Sequence, residues 1–111
     1  MSYNIIPTDK FKKQAKKLVK KYSSLKKELE NFALELSLNP EQGKSLGNNT
    51  FKVRLSVKSK NKGKSGGMRV ITFIIKPNKE VYLLTIYDKA DIESVDDNTI
   101  TKLIENIIVS R

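Results

Sequence analysis

The 111-residue chain has no cysteine, no histidine and no tryptophan. Without cysteine there can be no disulfide framework, no thiol nucleophile and no iron–sulfur ligation. Without histidine, imidazole acid–base catalysis, the serine–histidine triad and the usual zinc ligand sets are excluded as well. Any chemistry must use Lys, Arg, Tyr, Ser, Thr or a carboxylate. No apolar run is long enough to cross a bilayer and no h-region follows the N-terminus, so a cytoplasmic chain with no membrane partner is expected. Acidic residues are scarce, 12 against 22 Lys and Arg, for a formal net charge of +10. A chain this basic is drawn to phosphate polyanions, with anionic lipid surfaces as the other generic partner. Its 38% hydrophobic content can supply one modest core, and a single domain over 1–111 is expected.

Periodicity organises what is present. SYNIIP reads as a short first strand stopped by Pro7. Thr8 or Asp9 can cap a helix in which Phe11, Ala15, Leu18, Val19 and Tyr22 recur at helical spacing. Ser23 or Ser24 can cap a second helix with the stripe Leu25, Leu29, Phe32, Ala33 and Leu36, closed by Asn39-Pro40. Gly43 and Gly47 mark a loop. Phe51, Val53, Leu55 and Val57 alternate with Lys52, Arg54, Ser56 and Lys58, a strand with one wet face. Met68–Ile75 is apolar on both faces, which suggests a central strand. Pro77-Asn78 turns the chain into a strand over Val81–Tyr87. Ile100, Leu103, Ile104, Ile107 and Ile108 form a closing helical stripe that Asn98 or Thr99 can cap. The order β-α-α-β-β-β-α predicts an α+β domain: an antiparallel-dominated sheet packed by an N-terminal helical hairpin and a C-terminal helix, with the helices segregated from one sheet face.

Charge is concentrated between Phe51 and Lys76, where eight basic residues stand without an acidic one. Lys52 and Arg54 are two apart on a strand and leave the same face. If the intervening loop returns as a hairpin, Arg69 comes back beside them. Three cations at one phosphate would hold it and stabilise the added charge of a pentavalent transition state. Lys52, crowded by like charges, is a candidate general acid or base. A solvated cationic strand face is the plain alternative. The loop lysines Lys58, Lys60, Lys62 and Lys64 suit tracking of a nucleic-acid backbone, although no GxxxxGK[ST] phosphate loop is present. Lys13 and Lys17 on the first helix add a second phosphate footprint, or simply solvate that face. Tyr87 is a candidate for base stacking or proton exchange, with rim packing as its alternative. Lys89 follows it at the strand end. Asp88, Asp91 and Glu93 match no metal pattern, and the acidic patch around them is read as loop solvation or capping of the last helix.

The chain resembles the RelE/ParE superfamily of bacterial toxins, closest to its HigB-like branch. The resemblance is carried by the element order, by FKVRL opening the second strand, by KGKSGGMRVI entering the third and by LLTIYDK ending the fourth. It implies the toxin of a type II toxin–antitoxin system: a ribosome-dependent messenger RNA endonuclease, active without a metal or other cofactor and neutralised by a cognate antitoxin. Lys52 and Arg54 match the family's basic pair, Arg69 its arginine at the start of the third strand, and Lys89 a basic position after the fourth. The terminal tyrosine of RelE-like sites has no match; Val95 falls near it. ParE-like relatives target DNA gyrase instead, and a basic RNA-binding accessory domain is the third possibility.

Overall fold

The computed structural model describes residues 2–60, 67–91 and 94–110. It forms a five-stranded sheet in the order β1-β5-β4-β3-β2, built from β1 (Asn4–Pro7), β2 (Lys44–Gly47), β3 (Thr50–Leu55), β4 (Met68–Ile75) and β5 (Glu80–Asp88). The helices are α1 (Asp9–Lys21) and α2 (Leu25–Leu38), inserted between β1 and β2, and α3 (Asp97–Ser110). β1 runs parallel to β5; the other pairs are antiparallel. The α+β class and the antiparallel-dominated sheet expected from periodicity are therefore present. β4 is the central strand and is buried on both faces, as its uninterrupted apolar run requires.

Two apolar layers hold the sheet. On one face Phe11, Leu25, Phe32 and Leu36 of the helical pair pack with Val53, Leu55, Val70, Ile74 and Ile86. On the other, Ile100 and Ile107 of α3 join Ile71, Tyr82, Leu84 and Tyr87. The helices are thus not confined to one face, contrary to the segregation expected: α3 has its own apolar stripe and finds a second sheet surface to bury it. Its last stripe member, Ile108, is 59% exposed, because the stripe rotates off the sheet near the helix end.

Local polar chemistry fixes the joints. The Thr8 hydroxyl accepts from the Phe11 N–H at 3.2 Å and donates to the Leu83 carbonyl at 2.9 Å, so the cap of α1 is also bolted to β5. The β4–β5 register shifts at Ile71/Thr72, and Gln14 Oε1 of α1 accepts from Thr85 Oγ1 and the Ile86 N–H at that irregularity. Ser24 stands at the N-cap of α2 without bonding its amides. Its hydroxyl instead bonds Ser59 and Glu28, and Glu28 accepts from the Lys58 N–H, so the 3-10 turn after β3 is tied down on α2. Asp96, not Asn98 or Thr99, caps α3: its carboxylate accepts from the Thr99 N–H at 2.8 Å, which lowers its pKa.

Lys44–Gly47, read as part of a loop marked by Gly43 and Gly47, is a strand. Asn48 and Asn49 both have positive φ, 53° and 60°, as a two-residue primed hairpin turn demands, and they return the chain from β2 into β3. A four-residue strand exposed throughout carries no apolar alternation, so only the Asn-Asn pair announced it. Replacing Thr8 by Ala removes the α1 cap and its bond to β5 together. We expect a loss of about 1–2 kcal/mol in urea unfolding with an unchanged m-value.

Candidate nucleic-acid interface

The β3–β4 register sets Arg54 opposite Arg69 and Lys52 opposite Ile71. The β2–β3 register sets Lys44 opposite Lys52, and the β4–β5 register sets Tyr87 opposite Arg69. Paired residues share a face, so Lys44, Lys52, Arg54 and Arg69 all leave the sheet on the α3 side. α3 crosses only one end of that face, from the β2–β3 turn at Asn48 towards Ile6 and Tyr82. The other end stays open as a cleft of about 540 Å³, lined by Gly43, Lys44, Lys52, Arg54, Arg69, Lys89 and Ser94.

Two glycines permit this closeness. Gly67 precedes β4 where a Cβ would lie 2.7 Å from the Leu55 carbonyl oxygen, and its own carbonyl accepts from the Lys89 N–H, drawing Lys89 towards Arg69. Gly43 has φ of 90°, and a Cβ there would collide with the Lys52 carbonyl oxygen.

Arg69 is only 5% exposed and forms the floor, its Nη1 donating to the Met68 carbonyl at 3.3 Å. Arg54, Lys44 and Lys89 are exposed around it, and Lys52 is half-buried. Among the described residues none of these five cations is ion-paired to a carboxylate. Like charges directly opposite on adjacent strands are destabilising, and a buried guanidinium without a carboxylate is costly. Arg54/Arg69 and Lys44/Lys52 are two such pairs side by side. An arrangement that works against the fold is suited to a ligand carrying several negative charges.

The remaining sequence candidates that fall among the described residues do not line this cleft. Tyr87 is 4% exposed and packs in the α3-side core, so it offers no face to a base. Its hydroxyl has no hydrogen-bond partner among the described residues, and burial raises its pKa above 10.0 against the opposing pull of Arg69. Val95 packs against the same core. Lys13 and Lys17 are exposed on α1, which covers the opposite sheet face. Lys58 starts the turn tied to α2 and Lys60 ends it, while Lys62 and Lys64 lie outside the described residues. Lys44 and Ser94 escaped notice in the sequence. For Lys44 the signal was the Asn-Asn turn, which pairs it with Lys52; for Ser94 there was none.

No family model matches the chain. Among solved structures it is similar to the Escherichia coli toxin RelE. A double arginine-to-alanine mutant of RelE in the free state superposes with a TM-score of 0.60 at 19% identity, covering 96% of this chain and 99% of that one. The isolated RelE toxin gives 0.61 at 16% identity, with the same coverage. The fold is that of RelE. The order of elements expected from the sequence recurs in three dimensions over nearly the whole length, with β2 added before β3.

Two predictions test the electrostatics. Arg54→Gln relieves the Arg54/Arg69 repulsion and is expected to raise the melting temperature by about 2–4 °C at low salt, an increment that vanishes in high salt. The Tyr87 phenol is held neutral by burial, so its stabilising contribution is full below the unfolded value near 10.0 and is lost as pH rises through the higher folded value. Absorbance titration of phenolate should show a late-ionising tyrosine that disappears in Tyr87→Phe. That variant should fold normally, because it deletes a hydroxyl with no partner.

Proposed function

We propose that the protein is the toxin of a type II toxin–antitoxin pair and cleaves ribosome-bound messenger RNA without a metal. The single observation that supports this most is the open cationic row of Lys52, Arg54 and Arg69 on a RelE-like sheet, with Lys89 at its rim. Such a row fits a phosphodiester. The 2′-hydroxyl attacks the adjacent phosphorus and the 5′-oxygen departs, leaving a 2′,3′-cyclic phosphate and a 5′-hydroxyl. Arg69 and Arg54 hold the non-bridging oxygens as their charge grows. Lys52 exchanges a proton with the attacking or leaving oxygen, and Lys89 shields the developing negative charge. With no histidine in the chain and Tyr87 buried, this assignment leaves proton transfer to the lysines. We assign the chain to the HigB-like branch on KGKSGGMRVI, and we expect a cognate antitoxin to lay a segment over the uncovered cations.

Primer-extension mapping after induction tests the reading. We expect cuts within translated messages, abolished by Lys52→Ala combined with Arg69→Ala and retained in Tyr87→Phe. Whole messages with gyrase trapped on DNA would instead support a ParE-like inhibitor. Unaffected growth with soluble folded protein would support an RNA-binding accessory domain.

A further inference from the structure

The cationic row is longer than a single phosphate needs. β2 and β5 are separated by three strand spacings, roughly 14 Å, and Lys44 stands on β2 while Lys89 follows β5. Lys44 lies directly opposite Lys52 and lines the same cleft. Directly paired residues in an antiparallel ladder have Cβ atoms about 5 Å apart, so a Lys44 ammonium beside Lys52, with no carboxylate partner among the described residues, is a repulsion the fold need not contain. Apolar burial explains little of the strand either: β2 is exposed at all four positions, and its one large apolar residue, Leu46, is still 40% exposed beside α3. What holds Lys44 in this register is built with care. The left-handed Gly43 lets the chain pass over the Lys52 carbonyl where any side chain would collide, and the positive-φ pair Asn48–Asn49 closes the hairpin on the other side.

We propose that Lys44 is a substrate-binding residue that holds the phosphate next to the scissile one, so that the cleft grips two consecutive internucleotide phosphates of a single strand. The cluster of Arg54, Arg69 and Lys89 takes the scissile group, and Lys52 lies between the two. This rests on the phosphodiester reading above and adds to it a second subsite and a direction: the strand crosses the sheet from β5 to β2. The β2–β3 hairpin is then a ruler that places the next nucleotide, and the absence of a carboxylate beside Lys44 among the described residues leaves its charge for that purpose.

Two ligands separate the subsites: a dinucleoside monophosphate and a trinucleoside diphosphate, both with every 2′-hydroxyl methylated so that neither can be cut. Binding is followed by amide chemical-shift titration over a series of salt concentrations. Lys44→Ala should bind the dinucleoside monophosphate like the wild type. It should bind the trinucleoside diphosphate about fivefold more weakly, with a salt slope shallower by about 0.7. Lys44→Arg should restore both affinity and slope, and Lys27→Ala, on α2 over the opposite face, should change neither. If Lys44→Ala binds both ligands as the wild type does, or loses equally on both, the second subsite is wrong while the single-phosphate grip stands. If the wild type binds neither ligand in a salt-dependent way, the phosphodiester reading falls and this inference falls with it. Lys44→Gln, which keeps most of the side-chain stem, repeats the measurement if Lys44→Ala disturbs the hairpin.

Discussion

The pairing of Arg54 with Arg69 across β3 and β4 is the constraint on which the rest of the molecule turns. A one-residue slip in that register would send Arg54 into the helical layer and Val53 out to solvent. The apolar alternation of β3 forbids the slip, because Phe51, Val53 and Leu55 are all buried on the α1–α2 side. The hydrophobic core thus enforces a juxtaposition that electrostatics alone would reject. The same force that folds the sheet also clusters the positive charge, and the cluster is open because α3 covers only the far end of that face.

This division of labour explains why the sheet has two unlike surfaces. One is a dry contact with α1 and α2. The other is split between a dry half under α3 and a wet, cationic half. Arg69 lies at the boundary, buried between the exposed Arg54 and the buried Tyr87. A guanidinium held in place by neighbours on three strands has little freedom left to lose when it binds an anion, which is the advantage of building a site on a sheet and not on a loop.

Much of this was legible in the residues. The 3.6 and 2.0 periodicities located α1, α2, β4 and β5 within a residue or two, because each buries a continuous stripe or face. The convergence of Lys52, Arg54 and Arg69 followed from the alternation of β3 and a hairpin return. What escaped was whatever lacks an apolar signature. β2 buries no side chain, so only its turn residues betray it. The α3 cap went to Asp96 because a carboxylate one step before the helix reaches the Thr99 amide better than the polar residues already inside the first turn. The fate of Tyr87 could not be read from its place at a strand end, since burial there depends on α3 crossing the sheet.

The parallel pairing of β1 with β5 joins the two ends of the fold: Asn4 lies beside Glu80 and Pro7 beside Leu83. β1 must therefore wait for its partner through the synthesis of α1, α2, β2, β3 and β4. Until β5 exists, β1 has no strand to join, and the sheet closes only when β5 pairs with β4 on one side and with β1 on the other.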